Sequence, residues 1–145
     1  MKTFLLYLWQ LPQNLIGFIM SRFAKESLNI TCNDKKSVKI FFTKNVFNCG
    51  VSLGNYILLD YDSYYEGVLH GYPGYIKTVN HEHGHQIQSR YLGWFYLFTI
   101  GICSAGGNLF DRLFHKNWSI NKRNFWYYKK LPWELWADTL GKVER

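Results

Sequence analysis

The chain has 145 residues, enough for one domain with its own core and too few for two of ordinary size. A net charge of +7 directs it toward anionic partners, lipid headgroups or nucleic acid, and away from basic ones, while an aromatic share of 19% exceeds what a small core absorbs and suits a membrane interface. Three cysteines, Cys32, Cys49 and Cys103, form no C-x-x-C; they argue against a disulfide framework and for a reduced, cytosol-facing domain, although spacing alone permits a Cys32–Cys49 pair.

Residues 1–24 are the first predicted element. The run 3–20 is apolar but broken by Gln10, Pro12, Gln13 and Asn14. It is too interrupted for a clean span of about 20 apolar residues. It also lacks the small-residue cleavage site of a signal peptide. The expectation is a helix kinked near Pro12 that lies in a membrane interface or docks on a soluble core. Residues 37–43 and 51–60 are rich in β-branched and aromatic side chains and read as strands of a small sheet over 37–60, with a bulge at Gly54 as the plain alternative. Residues 61–75 carry Asp, Ser, Gly and Pro73 and read as a loop.

A helix is predicted over 75–91. Ile76, Val79, His83, Ile87 and Tyr91 share one stripe, so His83 is expected to be a satisfied core histidine. Lys77, Thr78, His81, Glu82, His85, Gln88 and Ser89 lie opposite, as a solvated face or a metal-carrying cleft. Residues 91–110 hold no charge between Arg90 and Asp111. The apolar segment 91–114 fits a bilayer span, a membrane-dipping hairpin or a buried helix with a Gly-rich turn. Residues 115–130 interleave cations with aromatics, a composition that suits anionic lipid, a solvated loop or single-stranded nucleic acid, with lipid preferred. A last helix over 131–142 starts with Pro132 in its first turn.

The chemistry is concentrated in His81-Glu82-His83-Gly84-His85, which reads H-E-x-x-H. On a helix, residues four apart share a face, so His81 and His85 can grip one metal ion while Glu82 serves as general base toward the attacking water. With five histidines and five glutamates in the chain, chance supplies only about 0.006 such matches. Two imidazoles leave a zinc ion short of a third protein ligand. Glu134-Leu135-Trp136-Ala137-Asp138 offers Glu134 as that ligand, with Asp138 one turn on to hold an imidazole in the correct tautomer. The alternatives are a first-turn carboxylate favoured by the helix dipole and an exposed acid. A strand carrying His81, His83 and His85 on one face is the rival geometry; Gly84 argues against it. Among the polar rings before the helix, Tyr61, Tyr64, Tyr65, His70 and Tyr72, none stands out as an oxyanion donor.

H-E-x-x-H followed by E-x-x-x-D resembles the gluzincin pattern of thermolysin-like peptidases. The E-x-x-A-D wording resembles the membrane metallopeptidases that process prenylated proteins and their heat-shock-induced bacterial relatives. Gly54-Asn55-Tyr56-Ile57, then His81 to His85, then Gln88, is similar to small bacterial zincin-like domains in which a G-N-x-I strand precedes H-E-x-x-H-x-x-Q. These likenesses cover residues 46–92 and 131–141. They imply a zincin-like α+β domain over 1–145, a Zn²⁺ held by His81, His85 and Glu134, Glu82 as catalytic base, and Asp138 behind the ligands. Gly54, Asn55 and Tyr56 would belong to a strand that pairs with extended substrate. The expected function is a minimal zinc metallopeptidase acting on peptide or protein, associated with membrane lipid on the cytoplasmic side of a bacterium, with nucleic acid disfavoured. The competing expectation is a membrane-associated protein whose zinc only staples the fold.

Overall fold

The computed structural model describes residues 2–44 and 50–144. Cys49 lies outside them, and so does any Cys32–Cys49 pairing; Cys32 and Cys103 carry free thiols. The architecture is α+β. Two helices, α1 (Lys2–Trp9) and α2 (Leu11–Ser21), lead into strands β1 (Ala24–Thr31), β2 (Ser37–Thr43), β3 (Gly50–Leu53) and β4 (Tyr56–Asp60). Helices α3 (Tyr61–Leu69) and α4 (Pro73–Leu92) follow. A 3-10 turn (Gly93–Phe95) and a π-helical turn (Leu97–Gly101) then lead into α5 (Ile102–Phe114), α6 (Ile120–Lys130) and α7 (Pro132–Leu140). Among the described residues, no helix is long and apolar enough to cross a membrane.

The sheet runs β1-β2-β4-β3, with β2 and β4 parallel and the outer pairs antiparallel. Period-two alternation decides its faces. Ile40, Phe42, Ile57 and Leu59 form the main core with Val68 of α3 and Val79 of α4. On the opposite face α2 lies across the sheet, where a Cβ at Gly17 would come within 2.8 Å of the Leu53 carbonyl and Tyr56.

Three elements differ from the sequence reading. Residues 61–75 are not a loop: Asp60 accepts a hydrogen bond from the Ser63 amide at 3.0 Å, caps α3 and turns the tyrosine-rich segment into a helix. Residues 51–60 are not one strand. Gly54 adopts φ 63° and, with Asn55, forms the turn of a hairpin, the position where a side chain would be strained. Asn14 Oδ1 accepts the Asn55 amide at 2.8 Å and locks that turn to α2. Residues 24–31 form β1, where Leu28 and Ile30 pack on the core in alternation with polar positions.

Candidate metal centre

Helix α4 carries H-E-x-x-H and packs along α7, which carries E-x-x-x-D. Two close approaches set their separation: a Cβ at Gly84 would strike the Ala137 carbonyl, and one at Gly141 the Asn80 carbonyl. Gly84 is thus required by packing inside the motif itself. Gly84→Ala is expected to push α7 away, costing about 1–3 kcal/mol of stability and weakening metal binding with it; urea denaturation and zinc titration of one preparation check both.

The pairing buries both helical faces. His81, Glu82, His85, Glu134 and Asp138 are each at most 5% exposed, so the polar face of α4 is not solvated. His81 Nε2 lies 3.0 Å from Glu134 Oε2, and His85 Nε2 lies 3.2 Å from the same oxygen. His81, His85 and Glu134 form a buried group whose ligand atoms all lie within 4.8 Å of one another.

The surroundings fix the tautomers. Gln88 donates its amide nitrogen to the Trp133 carbonyl at 2.8 Å, which leaves its oxygen facing His85 Nδ1 at 2.7 Å. Asp138 Oδ1, an acceptor, faces His81 Nδ1 at 2.8 Å. Both Nδ1 atoms must therefore carry hydrogen, and both Nε2 lone pairs face Glu134 Oε2. Three acceptors converging in a buried space require a cation, either protons or a metal ion. Glu134 Oε1 is likewise buried; the Tyr127 hydroxyl interacts with the Glu134 carboxylate and also donates to the Ser104 carbonyl at 3.3 Å.

Electrostatics follow this convergence. Burial opposes charge on His81, but hydrogen bonds to Asp138 and Glu134 outweigh it and raise its pKa to about 9. Burial would raise the Glu134 pKa, yet hydrogen bonds from His81 and His85 hold it well below the usual carboxylate range. An incoming metal ion therefore competes with a proton on His81.

Glu82 stands beside the ligands rather than among them. A Cβ on Gly50 would come 2.5 Å from its Oε1, so the Glu82 carboxylate lies close against β3 at that point. Among the described residues, β3 is the outer strand of the sheet at this side, and its Ser52 and Leu53 are buried. Gly54 and Asn55 lie in the turn, and Tyr56 starts the interior strand β4, so the G-N-x segment does not supply a pairing edge. Leu53 and Tyr56 close the hairpin, which makes Ser52↔Ile57 a pair whose backbone groups point outward. The Ser52 carbonyl accepts from the Tyr96 hydroxyl at 3.3 Å. Burial, then the charges of Glu82 and Glu134, raise the Tyr96 pKa well above an ordinary phenol.

Of the rings before α4, Tyr64 lines a cavity with Tyr127 and Tyr128, and Tyr61 and Tyr65 are placed elsewhere. Tyr61 stacks on Tyr65 at 4.8 Å, and Tyr65 meets Phe42 edge-on. His70 pairs with Glu66, Asp60 caps α3 and Asp62 faces Lys44, so none of these joins the metal group. The aromatic neighbours of the group are Tyr96, Tyr127 and Tyr128, whose ring meets His81 edge-on at 5.0 Å. No spacing rule links these tyrosines to the motif.

His83 is a satisfied core histidine, bonded to Gln86 and Asp34, both at 3.1 Å. In the basic aromatic stretch, Trp118 stacks on His115 at 3.7 Å and carries Lys122 at 3.9 Å from its ring, and Arg123 is tied to Asp111. Those cations and rings are partnered with one another. No family model, curated protein or solved structure matches this chain.

Proposed function

We infer that this protein is a small zinc-dependent peptidase, zincin-like in arrangement, with gluzincin ligand order. One observation carries the reading: two tautomer-locked Nε2 atoms and a Glu134 oxygen converge in a buried space next to a further carboxylate, Glu82, that is not itself a ligand. His81, His85 and Glu134 would hold the ion. A donor set of two imidazoles and one carboxylate suits zinc and is the ligand count of catalytic sites. Bound there, zinc supplies Lewis acidity to a peptide carbonyl and to the attacking water. Glu82 takes the proton of that water and returns it to the leaving amine. Asp138 and Gln88 keep the imidazoles in register.

The depth of the ligands supports a second reading, in which zinc only fastens α4 to α7. One experiment separates the two. Purified chain should take up about one zinc per molecule and hydrolyse an unstructured peptide. A chelator should abolish cleavage and added zinc restore it. Zinc uptake with a rise in thermal stability and no cleavage would leave the fastening role alone. No zinc uptake would remove both.

A further inference from the structure

The helix α2 is inside out. Gln10, Gln13 and Asn14 are fully buried, whereas Leu11, Leu15, Phe18 and Ile19, one stripe at helical spacing, are 38–53% exposed. Continuing from the π-helical turn, Phe98, Ile102, Leu109 and Leu113 form a second outward stripe, 58–71% exposed, while Asp111 on the same helix points inward. The two segments meet where Trp94 Nε1 donates to the Leu8 carbonyl at 2.8 Å and Trp9 Nε1 to the Arg90 carbonyl at 3.1 Å. Burying glutamines while exposing leucines is unfavourable in water.

The backbone of this face is also self-sufficient. Breaks at Gln10 and Gly93 free carbonyls that water would ordinarily solvate. Asn14 Nδ2 donates to the Tyr7 carbonyl at 3.1 Å, Gln13 Nε2 to Gly93 at 2.7 Å, and Thr99 to Phe95 at 2.9 Å. Both tryptophan N–H groups are spent on such carbonyls as well. These carbonyls around the breaks are satisfied internally, as a hydrocarbon environment demands, while Gln10 Oε1 and Gln13 Oε1 are buried without a partner among the described residues. Charge points to the same environment. Residues 3–21 and 91–110 contain no acid, and exposed cations stand just beyond the two stripes, Arg22 after α2 and Lys116 after α5. That places bases at headgroup level beside an apolar surface.

We propose that the face made by α1, α2 and residues 94–114 inserts into an anionic lipid bilayer without crossing it. The inference is independent of what the metal centre does. It is tested with the purified full chain and vesicles of phosphatidylcholine and phosphatidylglycerol, with and without brominated acyl chains. The protein should float with the vesicles and remain bound at high salt, because apolar insertion outlasts charge screening. Brominated chains should quench its tryptophan fluorescence. The double variant Leu15→Glu, Phe98→Glu, with both positions already exposed, should lose at least about tenfold in partitioning at unchanged helix content. Protein that stays in solution beside the vesicles overturns the proposal, and a discrete dimer in that fraction would hand the face to a second copy. Flotation without bromine quenching, or equal flotation of the folded double variant, overturns it too. Should the variant fail to fold, the quenching of the unaltered chain decides.

Discussion

Peptide hydrolysis is expected to fall by about two to four orders of magnitude in Glu82→Gln, the range spanned by positioned general bases, while zinc content stays near that of the unaltered chain. The argument is geometric. Glu82 lies outside the group that would hold the ion, so its loss leaves the ligands intact. Glutamine has the same shape, so the contact with Gly50 on β3 is kept. The ability to accept a proton goes, together with the negative charge that helps raise the Tyr96 and His81 pKa values. Side-by-side peptide cleavage and metal analysis check it. Cleavage at the original rate in a zinc-loaded Glu82→Gln protein would remove Glu82 from the chemistry and, with it, the reading of the centre as a peptidase.

Glu134→Ala is expected to cost more than Asp138→Ala in zinc affinity. Glu134 Oε2 faces both imidazoles, at 3.0 and 3.2 Å, and its removal leaves two ligands where three are needed. Asp138 faces the far nitrogen of His81, so alanine there frees the ring without deleting a ligand. Loss of such an orienting partner typically weakens a metal site roughly 10–100-fold, and loss of the ligand should exceed that. Competitive zinc titration against a fluorescent chelator orders the two variants. Equal and negligible losses would place the third ligand elsewhere.

The metal group was legible because its members follow helical spacing: His81 with His85, Glu134 with Asp138. What spacing could not show is the tertiary fit. Gln88 appears in the motif, but its task of aiming His85 depends on the Trp133 carbonyl, 45 residues away. Tyr96 and Tyr127 reach the centre only through the turn after α4 and the packing of α6. Helix α3 was legible in principle from the Asp60–Ser63 cap, which the surrounding Tyr, Ser and Gly obscured. The hairpin is legible from a glycine needing positive φ, but the β-branched and aromatic run over 51–60 reads as one strand. The inverted polarity of α2 could not be read at all. Apolar residues broken by glutamines look the same whichever side faces inward, and only Ser89 and Gly93, some 80 residues on, settle which.

The division of the centre between α4 and α7 has a consequence for synthesis. Glu134 follows His85 by 49 residues, and the apolar helix ending at Phe114 lies between them. A ribosome therefore releases α1 and α2 first, then the histidines of α4, then the apolar stripe of α5, and only last the carboxylate that completes the group. Over that interval the nascent chain lacks the third member of the His81, His85, Glu134 group. Assembly of the group is timed by chain order, after both exposed apolar stripes have emerged.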